Sequence, residues 1–320
     1  MTPVTPRLLV LLGVGALALT TAGMAGTAAA DDPKGQKYQD GRTVGIELTH
    51  SQIILSGNGI GGKRGDGFRL KRPCWYEPGP DADQMLKEQE EVRPYFFKLQ
   101  PNATEDDFKK YIKQFSDQVG KKGRWWRPAY NNKDPNGMAC WTALEPFVFV
   151  PPGETPPGGI TREELRDIAR AALTVPEFKI RTSPGTKSYV RLGTYVWLTG
   201  MGATTRSVTA TLPDVASATV TARLTSLTLK PGTSAAESIT EDCRDGLGQT
   251  YSKGQPLKCG IIYKRASDGQ PGGAYVLTAT TAWGVTSDPQ FAYEDIEVSA
   301  TRSIPVGEVQ TTVRESGSGS

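Results

Sequence analysis

Residues 176–313 consist of short runs in which apolar and polar residues alternate, and turn residues end each run. Alternation of this kind, as in residues 275–280 (YVLTAT), is typical of strands that bury one face. Pro213-Asp214, Lys230-Pro231-Gly232 and Asp268-Gly269 separate the runs. With about seven strands at this spacing, the pattern predicts an antiparallel Ig-like β-sandwich over residues 176–313.

The preceding residues 31–150 have a mixed pattern that predicts an α+β N-terminal region. Residues 43–55 are rich in β-branched residues, which favours a strand. Residues 104–119 predict a helix, because Thr104 is a good N-cap and acidic residues fill the first turn. Apolar residues then recur at helical spacing and predict a core-facing stripe: Phe108, Tyr111, Ile112, Phe115 and Val119.

Residues 151–175 predict a linker followed by a short helix. Residues 151–159 (PPGETPPGG) have no periodicity, which is typical of a connector. Thr161 and Glu164 have the spacing of a capping box, and Pro176 ends the helix. At the other end of the chain, the Gly/Ser-rich residues 314–320 predict a disordered tail.

Residues 1–30 have the pattern of a bacterial-type signal peptide. Arg7 is the only charge before an apolar run over 8–19, and Ala28 and Ala30 lie at −3 and −1 of a cut after Ala30. The alternative is an uncleaved anchor, but Gly and Thr interrupt the run before it reaches a membrane-spanning length. We therefore expect a secreted, extracellular protein with no membrane association after signal removal.

Four cysteines, Cys74, Cys140, Cys243 and Cys259, follow the predicted cleavage site. An oxidising compartment favours two disulfides, and four cysteines allow three connectivities. The spacing favours one bridge in each half, Cys74–Cys140 and Cys243–Cys259. The alternative is a zinc site, which is disfavoured because the chain has no C-x-x-C pair and a single histidine. We expect no metal.

No group of residues in the sequence forms a recognisable catalytic motif. His50 is the only histidine, and its neighbours predict an ordinary strand position away from any nucleophile motif. A hydrolase that uses two carboxylates remains as an alternative, with five candidate acids: Glu77, Asp81, Asp83, Glu241 and Asp242. We predict no catalytic residues.

Two further motifs resemble a cofactor or metal site, but each lacks an element that the site requires. Residues 57–62 satisfy G-x-G-x-x-G, but residues 63–68 (KRGDGF) do not predict the helix that a dinucleotide site needs. Residues 132–137 resemble the start of a calcium loop, but Ala143 stands where the bidentate Glu is required. We interpret both as turns and expect no cofactor.

A basic and aromatic segment, Arg124-Trp125-Trp126-Arg127, is the candidate ligand-binding site of the sequence. Tryptophan rings stack on sugars and cations attract an anionic polymer, so an anionic cell-wall glycan is the expected ligand. The alternative is that these rings fill the core of the N-terminal region. A formal net charge of +3 does not favour nucleic acid as a partner.

Five short segments match a known type of protein: residues 73–78 (PCWYEP), 147–151 (FVFVP), 194–198 (TYVWL), the loop from Cys243 to Gly260, and 306–310 (VGEVQ). With these segments the chain resembles uncharacterised secreted actinomycete-type proteins that have a Pro-rich middle and a C-terminal sandwich related to polycystic-kidney-disease (PKD) domains. The WxFGDG core of true PKD repeats is missing, so the kinship to them is architectural. The resemblance implies a sandwich and implies no activity.

These observations together predict a non-catalytic binding or structural protein of the cell envelope or extracellular space, stabilised by disulfides. The alternatives are a secreted, glycan-directed hydrolase that uses carboxylates, and an interaction or inhibitor subunit of an extracellular complex. The expected partner is a cell-wall glycan or another secreted protein.

Overall fold

The computed structural model describes residues 46–309, apart from Lys63, Asp66, Asp242, Arg244 and Asp245. The expected signal peptide (1–30) and tail (314–320) lie outside the described residues. Antiparallel sheets make up most of the secondary structure, and five α-helices accompany them in the described ranges.

Contacts divide the described residues into two compact units. Unit 1 contains residues 46–60, 67–172 and 208–219, and unit 2 contains residues 61–66, 173–207 and 220–309. The domain limits expected from the sequence stay a prediction.

Unit 1 combines a small sheet with all five helices. Its strands are β1 (Leu48–Thr49), β2 (Ile54–Ser56), β3 (Cys74–Pro78), β4 (Arg124–Asn131) and β5 (Val148–Val150). Its helices are α1 (Ala82–Glu91), α2 (Arg93–Leu99), α3 (Glu105–Ser116), α4 (Gly137–Ala143) and α5 (Arg162–Ala172).

Local capping explains where two of these helices begin. At α3, the Thr104 hydroxyl accepts from the Asp107 amide, while the Asp107 carboxylate accepts from the Thr104 amide. At α5, Thr161 and Glu164 make the same reciprocal pair at 3.2 and 2.9 Å. Both predicted helices are present, and α3 buries Phe108 and Phe115 of the predicted stripe.

Strand β4 is the centre of the unit 1 sheet. It pairs antiparallel with β3 along one side, and with β1 and β5 at its two ends along the other. The sequence run 43–55 does not form one strand, because its described part breaks between β1 and β2. Strand β2 pairs instead with residues 209–211.

Unit 2 is built almost entirely from strands. They are β6 (Lys179–Ser183), β7 (Ser188–Tyr189), β8 (Gly193–Thr199), β9 (Thr205–Leu212), β10 (Ala216–Lys230), β11 (Ser238–Glu241), β12 (Gly260–Tyr263), β13 (Tyr275–Asp288), β14 (Ile296–Ile304) and β15 (Val306–Gly307). The 3-10 turn Pro271–Gly273 precedes β13. Strands β9 and β10 contribute their connecting ends, residues 208–219, to unit 1.

Unit 2 contains strands of two antiparallel sheets and one short parallel pair. One antiparallel sheet has the order β14-β13-β10-β9, continued by β2, and the other has the order β11-β12-β8-β6, while β15 pairs parallel with β7. Burial alternates along β8, β10 and β13, as the sequence pattern predicted, so each sheet has one buried face.

Candidate functional site

The basic and aromatic segment lies on the central strand β4, and its tryptophans are buried. Trp125 and Trp126 are 4% and 7% exposed. The Trp125 ring packs against Phe115, Phe147 and Phe149, with centroid distances of 5.0, 6.4 and 5.4 Å. Both rings thus lie in the core, as in the alternative that the sequence left open, and the binding role of this segment stays a prediction.

The two arginines beside these tryptophans do not restore a binding surface. Arg124 is exposed at the start of β4, whereas Arg127 is half-buried and forms an ion pair with Glu88 of α1. The Arg127 guanidinium also lies 3.3 Å from the Met85 sulfur. Since helices α1 and α3 cover the Trp125 side of the strand, the four residues do not form one exposed site.

Both disulfides favoured by the cysteine spacing are present. Cys74–Cys140 joins β3 to α4, and Cys243–Cys259 closes a loop with a sequence separation of 16. No described cysteine is free. Cys74 packs with Tyr130 and Trp141, so the first bridge lies inside the unit 1 core.

His50 lies in a bend after β1 rather than in a strand. Its backbone has φ +57°, and its ring stacks on Trp141 at 4.9 Å with an interplanar angle of 14°. Partial burial lowers the pKa of His50 below the ordinary histidine value, because burial disfavours the charged form. The imidazole itself stays exposed and covers Trp141, which packs with Tyr130 and Cys74.

This lowered pKa predicts a loss of stability as the pH falls. The unfolded chain binds a proton on His50 more readily than the folded protein, so the stabilisation is present above about pH 6.5 and is lost as the pH falls through the folded pKa. We expect the His50→Asn variant, which keeps a residue that tolerates positive φ, to lose less stability than the wild type between about pH 7.5 and 5.5. Urea unfolding at the two pH values measures this difference, and equal losses in the two proteins would contradict it.

Glu77 is the most deeply buried of the four candidate acids that the structure describes, with 1% exposure. Its Oε1 accepts from the Ser51 hydroxyl at 2.6 Å and from the Trp75 indole at 2.7 Å, and its Oε2 accepts from the Gln52 amide at 2.6 Å. Burial raises the pKa of this carboxyl, while the three hydrogen bonds act in the opposite direction. The carboxylate therefore holds the segment between β1 and β2 against β3.

Replacing Glu77 by alanine is expected to lower the free energy of unfolding by about 3 kcal/mol, because three donors lose their acceptor. Glu77→Gln should cost less, since its carbonyl oxygen still accepts from two of them. Urea unfolding measures both changes. The control Glu90→Ala removes an exposed acid of α1 and should change stability by less than about 0.5 kcal/mol. A Glu77→Ala variant as stable as this control would contradict the structural role.

The other candidate acids do not converge with Glu77. Asp81 caps α1, where its carboxylate accepts from the Gln84 amide at 2.8 Å, and Asp83 is exposed in the first turn of that helix. Glu241 ends β11 in unit 2, and Asp242 lies outside the described residues. The acids that the sequence suggested for hydrolysis are thus divided between a cap, a helix surface and a strand end.

A cleft of about 200 Å³ lies in unit 1 between the segment before β3 and helix α5. Leu70, Trp75 and Ile168 form its apolar part, and Glu164 and Asp167 are among its charged residues. Glu164 pairs with Arg72, and Asp167 pairs with Arg166 at 3.0 Å. Because both acids are ion-paired, the cleft offers little free charge for chemistry.

Sequence reasoning missed an aromatic surface in unit 2. Tyr195 and Trp197 lie two residues apart on β8, and they are half-buried while Thr194, Val196 and Leu198 are buried. Tyr251, which is 55% exposed, meets the Tyr195 ring at 5.2 Å. Alternation along 194–198 was the available signal, but Tyr251 is too distant in sequence to be associated with it.

Two sequence motifs form turns in the structure, and the amide of Gly62 in the first donates to the Thr174 hydroxyl at 2.8 Å. Residues 57–62 form a turn, and no described helix begins before Ala82. Residues 132–137 lead into α4. Within the described ranges, no group of three or more His, Cys, Asp or Glu side chains is arranged to hold a metal ion.

No family model matches the chain, and comparisons with curated proteins and with solved structures find no significant match either. None of the described helices is long and apolar enough to cross a membrane.

Proposed function

We propose that this chain is an exported, non-catalytic binding or structural protein of the cell envelope or extracellular space. The observation that carries the proposal is that the side chains a catalytic site could use are engaged in structural contacts. His50 stacks on Trp141, Glu77 receives three hydrogen bonds, and all four cysteines are paired. A pair of disulfides is typical of proteins that mature outside the cytosol.

The signal pattern of residues 1–30 supports export. Cleavage after Ala30 would release a chain that begins at Asp31, which the intact mass of the protein recovered from the medium measures. A protein that stays in the cells, or keeps residues 1–30, would contradict this part of the proposal.

For unit 2, we propose a sandwich of the Ig-like or PKD-like type. Tyr263 of β12 stacks on Tyr275 of β13 at 4.9 Å and 2°, so the buried faces of the two sheets meet. Cys243 bridges to the backbone of β10 at Leu227, and its disulfide partner Cys259 immediately precedes β12. The disulfide thus joins the two sheets, as a cross-link in a sandwich does.

The binding function is tested by sedimenting the purified protein with isolated bacterial cell walls and insoluble polysaccharides. We expect the protein in the pellet and no soluble sugar released. Release of sugar would favour the carboxylate-dependent hydrolase instead, and Glu77→Gln would then be the first variant to assay. A protein that stays in the supernatant and releases nothing would favour an interaction subunit with a protein partner.

A further inference from the structure

The less buried face of β8 carries two half-buried aromatic rings, Tyr195 and Trp197. Side chains two residues apart in a strand point to the same face, so Tyr195 and Trp197 stand about 7 Å apart along β8. The opposite face of the strand is buried through Val196 and Leu198. No hydrogen-bond acceptor for the Trp197 indole N–H is found among the described residues. The accessible part of the ring therefore offers apolar surface and an indole N–H donor.

A loop closed by the second disulfide continues this surface. Residues 247–249 run beside β8, where the Gln249 amide donates to Val196 O at 2.7 Å and Leu198 N donates to Leu247 O at 2.9 Å. Gly248 has φ +87°, and an added Cβ would lie 2.4 Å from Val196 O, so only glycine fits this approach.

The Gln249 side chain fixes the rest of the loop. Its Oε1 accepts from the amides of Lys258 and Cys259 at 2.6 and 3.2 Å, and its Nε2 donates to Pro256 O at 2.9 Å. The Tyr195 hydroxyl donates to Gln255 O at 2.7 Å. The loop thus holds Tyr251 beside Tyr195 before any ligand arrives, which lowers the entropic cost of binding.

Cations surround these rings. Arg181 of β6 lies directly opposite Trp197 in the register, and Lys179 lies on the same face two residues away. The loop adds the exposed Lys253 and Lys258. No ion-pair partner for any of these four cations is found in the part of the chain that the structure describes. Glu241 is the one acid on the strands of this sheet.

We propose that this surface, which we call the β8 face (Tyr195, Trp197, Tyr251, Lys179 and Arg181), binds an anionic polysaccharide. The rings stack on sugar rings, and the unpaired cations meet carboxylate or phosphate groups along the polymer. The proposal deepens the proposed function and rests on it, because it gives the binding protein a ligand class and a site. It also replaces the buried Trp125 and Trp126 as the aromatic contacts.

Calorimetric titration of the purified protein with polygalacturonate tests this site. We expect binding to polygalacturonate, weaker binding to its methyl ester, and none to poly-L-glutamate, which has the charge without the sugar rings. The double variant Trp197→Ala/Tyr251→Ala should bind polygalacturonate about tenfold more weakly. Arg181→Glu should weaken polygalacturonate binding and leave binding to the methyl ester unchanged, because only the acid form meets the cation.

A matched control is available in unit 1, where the exposed Tyr95 ring lies 6.0 Å from the Lys98 ammonium. The variant Tyr95→Ala/Lys98→Glu removes the same chemistry elsewhere and should bind like the wild type. If Trp197→Ala lowers the urea midpoint of unfolding, Tyr251→Ala alone replaces the double variant, since its side chain is largely exposed.

Two outcomes would contradict the proposal that the β8 face binds an anionic polysaccharide. One is wild-type protein that does not bind polygalacturonate, or that binds poly-L-glutamate or a single-stranded oligonucleotide as tightly. The other is undiminished binding by the β8-face variants. Wild-type protein that still sediments with cell walls in either case would leave the proposed function intact, whereas failure to sediment would overturn the function itself.

Discussion

Replacing Trp125 by alanine is expected to lower the free energy of unfolding by about 4 kcal/mol, because the change empties a large core position. The Trp125 ring contacts Phe115 of α3 and Phe149 of β5, so its loss removes packing between a helix and two strands of unit 1. Urea unfolding followed by circular dichroism measures the change.

The control for this prediction is Tyr95→Ala, which removes an exposed aromatic ring from α2 of the same unit and should cost far less. Comparing the two variants distinguishes the stability lost with a buried ring from the stability lost with any aromatic ring. A Trp125→Ala variant that unfolds at the wild-type urea concentration, yet loses a glycan ligand, would instead restore the surface role that the sequence suggested.

Loss of the Cys74–Cys140 disulfide is the second large effect. We expect the double variant Cys74→Ala/Cys140→Ala to be less stable by about 4 kcal/mol, because the bridge closes a loop with a sequence separation of 66 and its removal frees the unfolded chain. The corresponding change at Cys243 and Cys259 should cost about 3 kcal/mol, since that loop is shorter.

Tryptophan fluorescence during urea unfolding separates the two bridges. Unit 1 contains Trp75, Trp125, Trp126 and Trp141, so most of the fluorescence change reports on that unit. The Cys74/Cys140 variant should shift this transition to lower urea, and the Cys243/Cys259 variant should shift it less. The opposite order would contradict the assignment of one bridge to each unit.

The parts of the fold that the sequence predicted correctly depend mostly on residues that are close together in the chain. The capping boxes at Thr104 and Thr161 fix helix starts with contacts three residues apart, which a sequence displays directly. Alternation along β13 likewise marks a strand with one buried face. The disulfides followed from spacing, although spacing did not exclude the other two connectivities.

The sequence left open which elements cover a given strand. A basic and aromatic run such as Arg124–Arg127 has the same pattern whether its rings are exposed or lie under helices. Trp125 is buried because α1 and α3 pack against it. Glu77 and Ser51 are 26 residues apart, and Tyr195 and Tyr251 are 56 apart. No periodicity connects such pairs, so neither the buried carboxylate nor the β8 face was predictable from the sequence.

The most direct test of the proposed function is retention of the purified protein on isolated cell walls, with polygalacturonate as a soluble competitor and released sugar measured in the supernatant. Our account predicts that the protein sediments with the walls, that polygalacturonate displaces it, and that no sugar is released. Sugar release, or a protein that stays in solution without competitor, would contradict the account.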